Sequence, residues 1–270
     1  MNKLKLITQQ NIQIRGCHNG RGEEHLVAFH GFGQSAEVLC AQLSFLKENR
    51  NIWCFNLPYH GGDHGFHDKE DYLQGIIDFL KSKGIQRFDV FGFSIGARVA
   101  IEMVACSGGR LYLLAPDGLA KRWLFECLTR NLLGRFIFRS VTYVDTGALC
   151  FSYVLKGLDF LLPGIPLRKL WLSREWRRRL FDRWVSLSNF CASGKRTRKI
   201  VRVHAAWLLL AAHDVLIDNR KLVRLCQKHK WPYTFAPVHH DVISIQLSSF
   251  VSAKSFDLRI TSSSAQEAKE

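Results

Sequence analysis

Apolar residues cluster along this chain in short blocks of strand length. Leu26-Val27-Ala28-Phe29, Phe88-Asp89-Val90-Phe91, Leu111 to Ala115 and Trp207 to Ala212 have the β-branched, leucine-rich and aromatic content of strands buried on both faces, and Tyr233 to Ala236 reads as a last short strand. The beginning has a different rhythm. Met1 to Lys5 alternates polar and apolar residues and Asn11-Ile12-Gln13-Ile14-Arg15 continues the alternation, which suits two antiparallel strands with one wet face. After the Phe88 block, Ile95, Val99 and Met103 recur at helical spacing. Between Lys121 and Arg202 the pattern changes again. Leu167-Arg168-Lys169-Leu170-Trp171 and the run from Arg174 to Phe181 place apolar residues three and four apart among basic ones, predicting amphipathic helices with basic outer faces. The residues from Thr261 to Glu270, rich in serine, alanine and charge, read as a disordered tail.

The Phe88 strand and the helix after it enclose Gly92-Phe93-Ser94-Ile95-Gly96, so this segment reads as strand, sharp turn, helix. A serine at the apex of such a turn sits in strained backbone flanked by glycines, with its Oγ above the sheet edge, where the helix N-terminus favours negative charge. Ser94 is therefore a candidate nucleophile. The Leu26 strand runs into His30-Gly31-Phe32-Gly33-Gln34-Ser35, whose glycines allow a backbone N–H to point outward. The N–H groups of Phe32 and Ile95 are candidates for an oxyanion hole. A Ser-acid-His order needs an acid and a base farther on. The Trp207 block ends at His213-Asp214, placing Asp214 at the carboxyl end of a buried strand, and the Tyr233 strand leads into Pro237-Val238-His239-His240-Asp241. One of His239 and His240 is the candidate base.

These segments resemble the α/β-hydrolase superfamily over residues 24 to 117 and 203 to 252. The superfamily's H-G-x-G turn corresponds to His30 to Gly33 and its G-x-S-x-G elbow to Gly92 to Gly96. Its acid-bearing segment corresponds to Asp214-Val215-Leu216-Ile217. Its G-H before an apolar helix is similar to His239-His240 followed by Val242, Ile243 and Leu247. The resemblance implies His240 as the base, with His239 as the alternative because it stands where the family has glycine. Asp117, after the Leu111 strand, is the alternative acid, since some members place the acid after the sixth strand. Asn56-Leu57-Pro58-Tyr59-His60-Gly61 resembles the D-L-P-G-H-G segment after the fourth strand, with asparagine for aspartate. The implied fold is α/β: a mostly parallel twisted sheet flanked by helices, with a helical cap inserted after the sixth strand. The expected organisation is a core from residues 1–117 and 203–260, a basic cap at 118–202 and the tail at 261–270.

Length and charge add to this picture. A chain of 270 residues holds one such domain with an insertion. Of the net charge of +15, the segment from Lys121 to Arg202 carries 13, with 18 Lys and Arg against five Asp and Glu. The segment also holds Trp123, Trp171, Trp176 and Trp184. Two readings stand: a solvated lid, or attachment to an anionic membrane surface through interfacial helices. Nucleic acid is not expected, because no recognition motif accompanies the charge. No transmembrane helix is expected either, since Lys156, Asp159 and two prolines interrupt the apolar stretch from Ala148 to Leu167. The chain shows no signal-peptide block and is expected in the cytoplasm, at most peripheral at a membrane. Eight cysteines without paired C-x-x-C spacing, among them Cys40, Cys54 and Cys106, read as reduced core thiols. His60, Asp63, His64, His67 and Asp68 crowd one loop at no spacing of a metal signature, and read as a polar rim.

The expectation is a serine hydrolase with a small-molecule acyl substrate and no cofactor, in which Ser94 attacks, His240 moves the proton and Asp214 orients the imidazole. Hydrolysis of a carbon–carbon bond by the same groups, or a non-catalytic ligand- or membrane-binding module of this fold, are the competing readings.

Overall fold

The computed structural model describes residues 1–60, 68–120, 123–148, 173–190, 199–201 and 206–241. The strands are β1 (Asn2–Ile7), β2 (Gln13–Asn19), β3 (Glu24–Phe29), β4 (Arg50–Phe55), β5 (Phe88–Phe93), β6 (Gly108–Leu114), β7 (Trp207–Ala211) and β8 (Tyr233–Ala236). They form one sheet in the order β1-β2-β4-β3-β5-β6-β7-β8. The alternating N-terminal segments make an antiparallel hairpin whose turn contains Asn11 at φ 61°, and β2 lies antiparallel to β4. Every later pairing is parallel.

Period-two geometry explains why the blocks from β3 onward are apolar without interruption. Val27, Phe29, Val90, Leu111, Leu113, Leu208 and Leu210 face one core, while Leu26, Ala28, Phe91, Tyr112, Leu114, Leu209 and Ala211 face the other. The first core is closed by α2 (Lys69–Ser82), α3 (Gly96–Val104) and α7 (Asn219–His229), through residues such as Tyr72, Ile76, Val99, Met103 and Leu222. The second is closed by α1 (Ala36–Gln42) through Leu39 and Cys40. All nine residues of α3 are buried, so this helix is sunk into the molecule immediately after the Ser94 turn.

Among the described residues, the helices α4 (Trp123–Arg130), α5 (Leu132–Tyr143) and α6 (Arg174–Ser188) lie between β6 and β7. Asn131 caps α5 by accepting from Leu133 and Gly134 N–H, and Ser173 caps α6 by accepting from Trp176 N–H. A small core of Phe138, Ala148 and Leu180 joins α5 to α6, and Phe32, which follows β3, packs against it. The expected basic outer face of α6 is only partly exposed. Arg177 is 4% exposed, donating from Nε to the Thr142 carbonyl (3.2 Å) and from its terminal nitrogen to Asp145 Oδ1 (2.6 Å). The bonds settle why: Arg177 satisfies a carbonyl near the end of α5 and a carboxylate, and so turns inward. Arg174 and Arg179 do face solvent.

Cys17, Cys40, Cys54 and Cys226 are buried free thiols, but Cys106, expected in the core, lies just beyond α3 and is exposed. The segments around Leu167 and Trp171, the tail and most of the histidine-rich loop fall outside the described residues. Among the described residues no helix is long and apolar enough to cross a membrane.

Candidate active site

Ser94 stands between β5 and α3 at φ 52°, in the left-handed region. Three backbone bonds hold it there: Ser94 N–H donates to the Leu114 carbonyl (2.9 Å), and its own carbonyl accepts from Ala97 and Asp117 N–H (each 3.0 Å). The glycines of the turn serve close packing. A Cβ on Gly92 would lie 2.6 Å from Ala100 Cβ, and one on Gly96 would lie 2.6 Å from the Phe29 carbonyl oxygen. The strained φ belongs to the serine itself, at a cost of about 1–3 kcal/mol that the surrounding bonds must offset.

Asp214 follows β7 with its side chain fully buried. Its Oδ1 accepts from Leu216 N–H (2.9 Å) and Ile217 N–H (2.8 Å), which fixes the carboxylate plane. Its Oδ2 accepts from His240 Nδ1 (2.6 Å), and His240 Nε2 lies 2.8 Å from Ser94 Oγ. The imidazole also stacks on the Phe93 ring, with centroids 5.5 Å apart. A proton on Nδ1 leaves Nε2 as the acceptor facing the serine hydroxyl. The arrangement can therefore withdraw a proton from Ser94 and hold the imidazolium beside a carboxylate.

The two alternative residues lie elsewhere. His239 is exposed, and its Nδ1 donates to the His213 carbonyl (3.0 Å). Asp117 is 4% exposed, and its Oδ2 accepts from Arg98 Nε (2.8 Å), while the Arg98 guanidinium sits 4.3 Å from the Phe125 ring centroid. Asp117 thus neutralises a buried arginine beside the serine turn and braces that turn through its N–H.

The His30–Gly33 turn packs beside β5. Gly33 adopts φ 78°, and a Cβ on Gly31 would strike the Phe93 ring at 2.6 Å. His30 is wholly buried, donating from Nδ1 to the Gly31 carbonyl (2.8 Å) and accepting at Nε2 from Leu57 N–H (3.1 Å). Burial pushes its pKa down to about 4, in keeping with one fixed neutral tautomer. Among the described residues, neither Phe32 nor Ile95 N–H has a backbone acceptor.

Asn56, which stands in the position of the aspartate, accepts at Oδ1 from Ala36 N–H (2.7 Å), satisfying a donor at the start of α1 without a buried charge. His60 is also wholly buried. Its Nδ1 donates to the Pro58 carbonyl (2.9 Å) and its ring meets His30 and Phe32 edge-on, so it is packed beneath the turn instead of lying on a polar rim.

Arg183 was invisible in the chain as a site residue. From α6 it donates through Nε to the Tyr59 carbonyl (3.0 Å) and lies over the Phe32 ring, 5.5 Å from its centroid. Burial, with Arg179 adding to it, lowers its pKa to about 10. Nothing in its local sequence separates it from Arg177, Arg178 and Arg179; only the packing of α6 does.

Solved structures with this architecture include a thermophilic esterase from Thermogutta terrifontis, with TM-score 0.65 and 13% identity over 94% of this chain and 96% of that one. An alpha/beta hydrolase enzyme from a Medee basin deep-sea metagenome library has TM-score 0.63 and 15% identity over 92% and 94% of the two chains. A thioesterase domain from the curacin biosynthetic pathway has TM-score 0.61 and 14% identity over 94% and 98%. No curated protein matches the chain in sequence. The model of the alpha/beta hydrolase family matches residues 26–249, which take in the Leu26 strand, the serine turn, the inserted helices and both His239 and His240, and the chain belongs to that family.

Proposed function

We propose that this hydrolase is a serine hydrolase that cleaves a carboxylic ester or a similarly activated acyl substrate. The observation that carries the reading is the unbroken hydrogen-bonded chain from Asp214 Oδ2 through His240 to Ser94 Oγ. Ser94 Oγ attacks the acyl carbon as His240 Nε2 takes its proton. The tetrahedral oxyanion is held by Phe32 N–H, from the turn after β3, and by Ile95 N–H at the start of α3, where the helix dipole adds to the two donors. Collapse expels the alcohol, which leaves with the proton from His240. Water then attacks the acyl-enzyme with His240 again as base, and the acid is released. Asp214 keeps the imidazole in the tautomer this cycle needs. The helices between β6 and β7 act as a cap over the substrate, tethered to the core by Arg183 on Tyr59 and Phe32.

A fluorophosphonate probe tests the proposal. Wild type should be labelled and turn over p-nitrophenyl esters, with a preferred acyl length across a graded series. Ser94→Ala should lose labelling and lose turnover by about 10⁴ or more. Equal labelling of both proteins would remove Ser94 as the nucleophile.

A further inference from the structure

We infer that α5 is an interfacial helix that docks the protein on an anionic lipid surface. The helix is apolar on two faces, whereas a helix packed on a domain surface needs only one. Gly134, Phe138 and Thr142 are its buried positions, packed toward α4 and α6. On another face, Leu132 is 84% exposed, Leu133 68%, Phe136 69% and Ile137 49%, and Val144 continues the strip past the helix end. At 100° per residue the four helical side chains, Leu132, Leu133, Phe136 and Ile137, fall within one arc of about 140°. Contiguous large apolar side chains at such exposure mark an interaction surface.

Charge selects the occupant. Arg135 and Arg139 lie along one border of the arc; Arg139 sits 5.7 Å from the Tyr143 ring centroid, and among the described residues neither is ion-paired with a carboxylate. Arginine side chains of this length reach phosphate headgroups while leucine, isoleucine and phenylalanine enter the acyl boundary. A second copy of this chain fits poorly, because it would bring one segment with 13 excess positive charges against another. A leaflet carrying acidic lipid supplies both the apolar phase and the counter-charge. The basic run on α6 contributes less than its sequence implies, since Arg177 is spent on Thr142 and Asp145. This inference is independent of the catalytic reading, because the exposed strip does not include the serine site.

The test is flotation of the full chain with phosphatidylcholine vesicles, with and without about 30% phosphatidylglycerol. Binding to the acidic vesicles is expected at low salt, weakening about tenfold or more as ionic strength rises, with little binding to neutral vesicles. Leu133→Glu with Phe136→Glu should reduce the binding at least about tenfold at unchanged melting temperature. Arg135→Gln with Arg139→Gln should remove the preference for acidic lipid. No binding, or equal binding to both vesicle types, overturns the inference. So does a fall in melting temperature in the glutamate variant, because the strip would then be covered by the chain itself. A dimer in light scattering that the glutamates disperse, without vesicle binding, also overturns it in favour of self-association.

Discussion

Glycine and alanine at position 94 should reverse their usual order of stability. Both substitutions remove the hydroxyl and its contact with His240 Nε2, so comparing them with each other cancels that loss and isolates the backbone. Ser94 sits at φ 52°, where a Cβ costs about 1–2 kcal/mol. Glycine escapes that cost but gains freedom in the unfolded chain, worth about 0.4–1 kcal/mol against it. The balance favours Ser94→Gly over Ser94→Ala by about 0.5–1 kcal/mol, or about 1–4 °C in melting temperature for a domain of this size. At an ordinary helix or strand position the alanine variant would be the more stable by about 0.5–1 kcal/mol. Paired urea or thermal denaturation reads the difference directly. An alanine variant more stable than the glycine variant would show that the turn is not strained at Ser94, and that its hydrogen bonds to the Leu114 carbonyl and from Ala97 and Asp117 N–H hold no unfavourable conformation in place.

Asp214→Asn should lower ester turnover about 10⁴-fold at nearly unchanged stability, by stranding the wrong imidazole tautomer. Asp117→Asn should instead destabilise the fold, by up to about 3–5 kcal/mol, because the buried Arg98 loses its counter-charge, and folded enzyme should keep most of its turnover; the reverse pattern would exchange their roles. His30, with its pKa lowered to about 4 in the fold, binds its proton in the unfolded chain first. Its contribution to stability is therefore complete above pH 6.5 and lost as pH falls toward 4, by about 3 kcal/mol in all, and an NMR titration of its ring near pH 6.5 would refute this. Arg183→Ala should raise KM several-fold, roughly 3–10, with kcat little changed, because it loosens α6 over the Phe32 turn; no change in either constant would mean that the tether does not shape the site.

The parallel strands were legible because burial on both faces leaves so few residue types possible. Leu208 and Leu209 face opposite cores, yet both must be apolar. The serine turn was legible for a related reason, as Gly92 and Gly96 meet the backbone of α3 and β3 too closely for any side chain. What stayed open in the chain was direction. His239 and His240 are neighbours of one kind in one loop, and only the bonds made by the folded loop send one toward the His213 carbonyl and the other toward Ser94. Asp117 and Asp214 both follow buried strands, and what separates them is Arg98, which lies 19 positions before Asp117 on another element. Arg177 and Arg179 look alike in the run from Arg174. One is buried on α5 and the other pairs with Glu175 at the surface, because in a helix of 3.6 residues per turn side chains two positions apart lie about 200° apart and so face opposite ways.

The 146 positions between Ser94 and His240 set an order of events during synthesis. The sheet from β1 to β6, with α1, α2, α3 and the Asp117 N–H that braces the serine turn, can assemble from the first 117 residues, and it already contains the serine in its turn. β7 and β8 add to the same edge only after the inserted helices have left the ribosome, and their pairing closes the longest loop in the sheet. Until they dock, Ser94 has neither His240 nor Asp214 beside it. On the proposed mechanism, a chain interrupted anywhere before His240 carries a strained serine with no base, and so turns over no acyl substrate until the segment after β8 is in place.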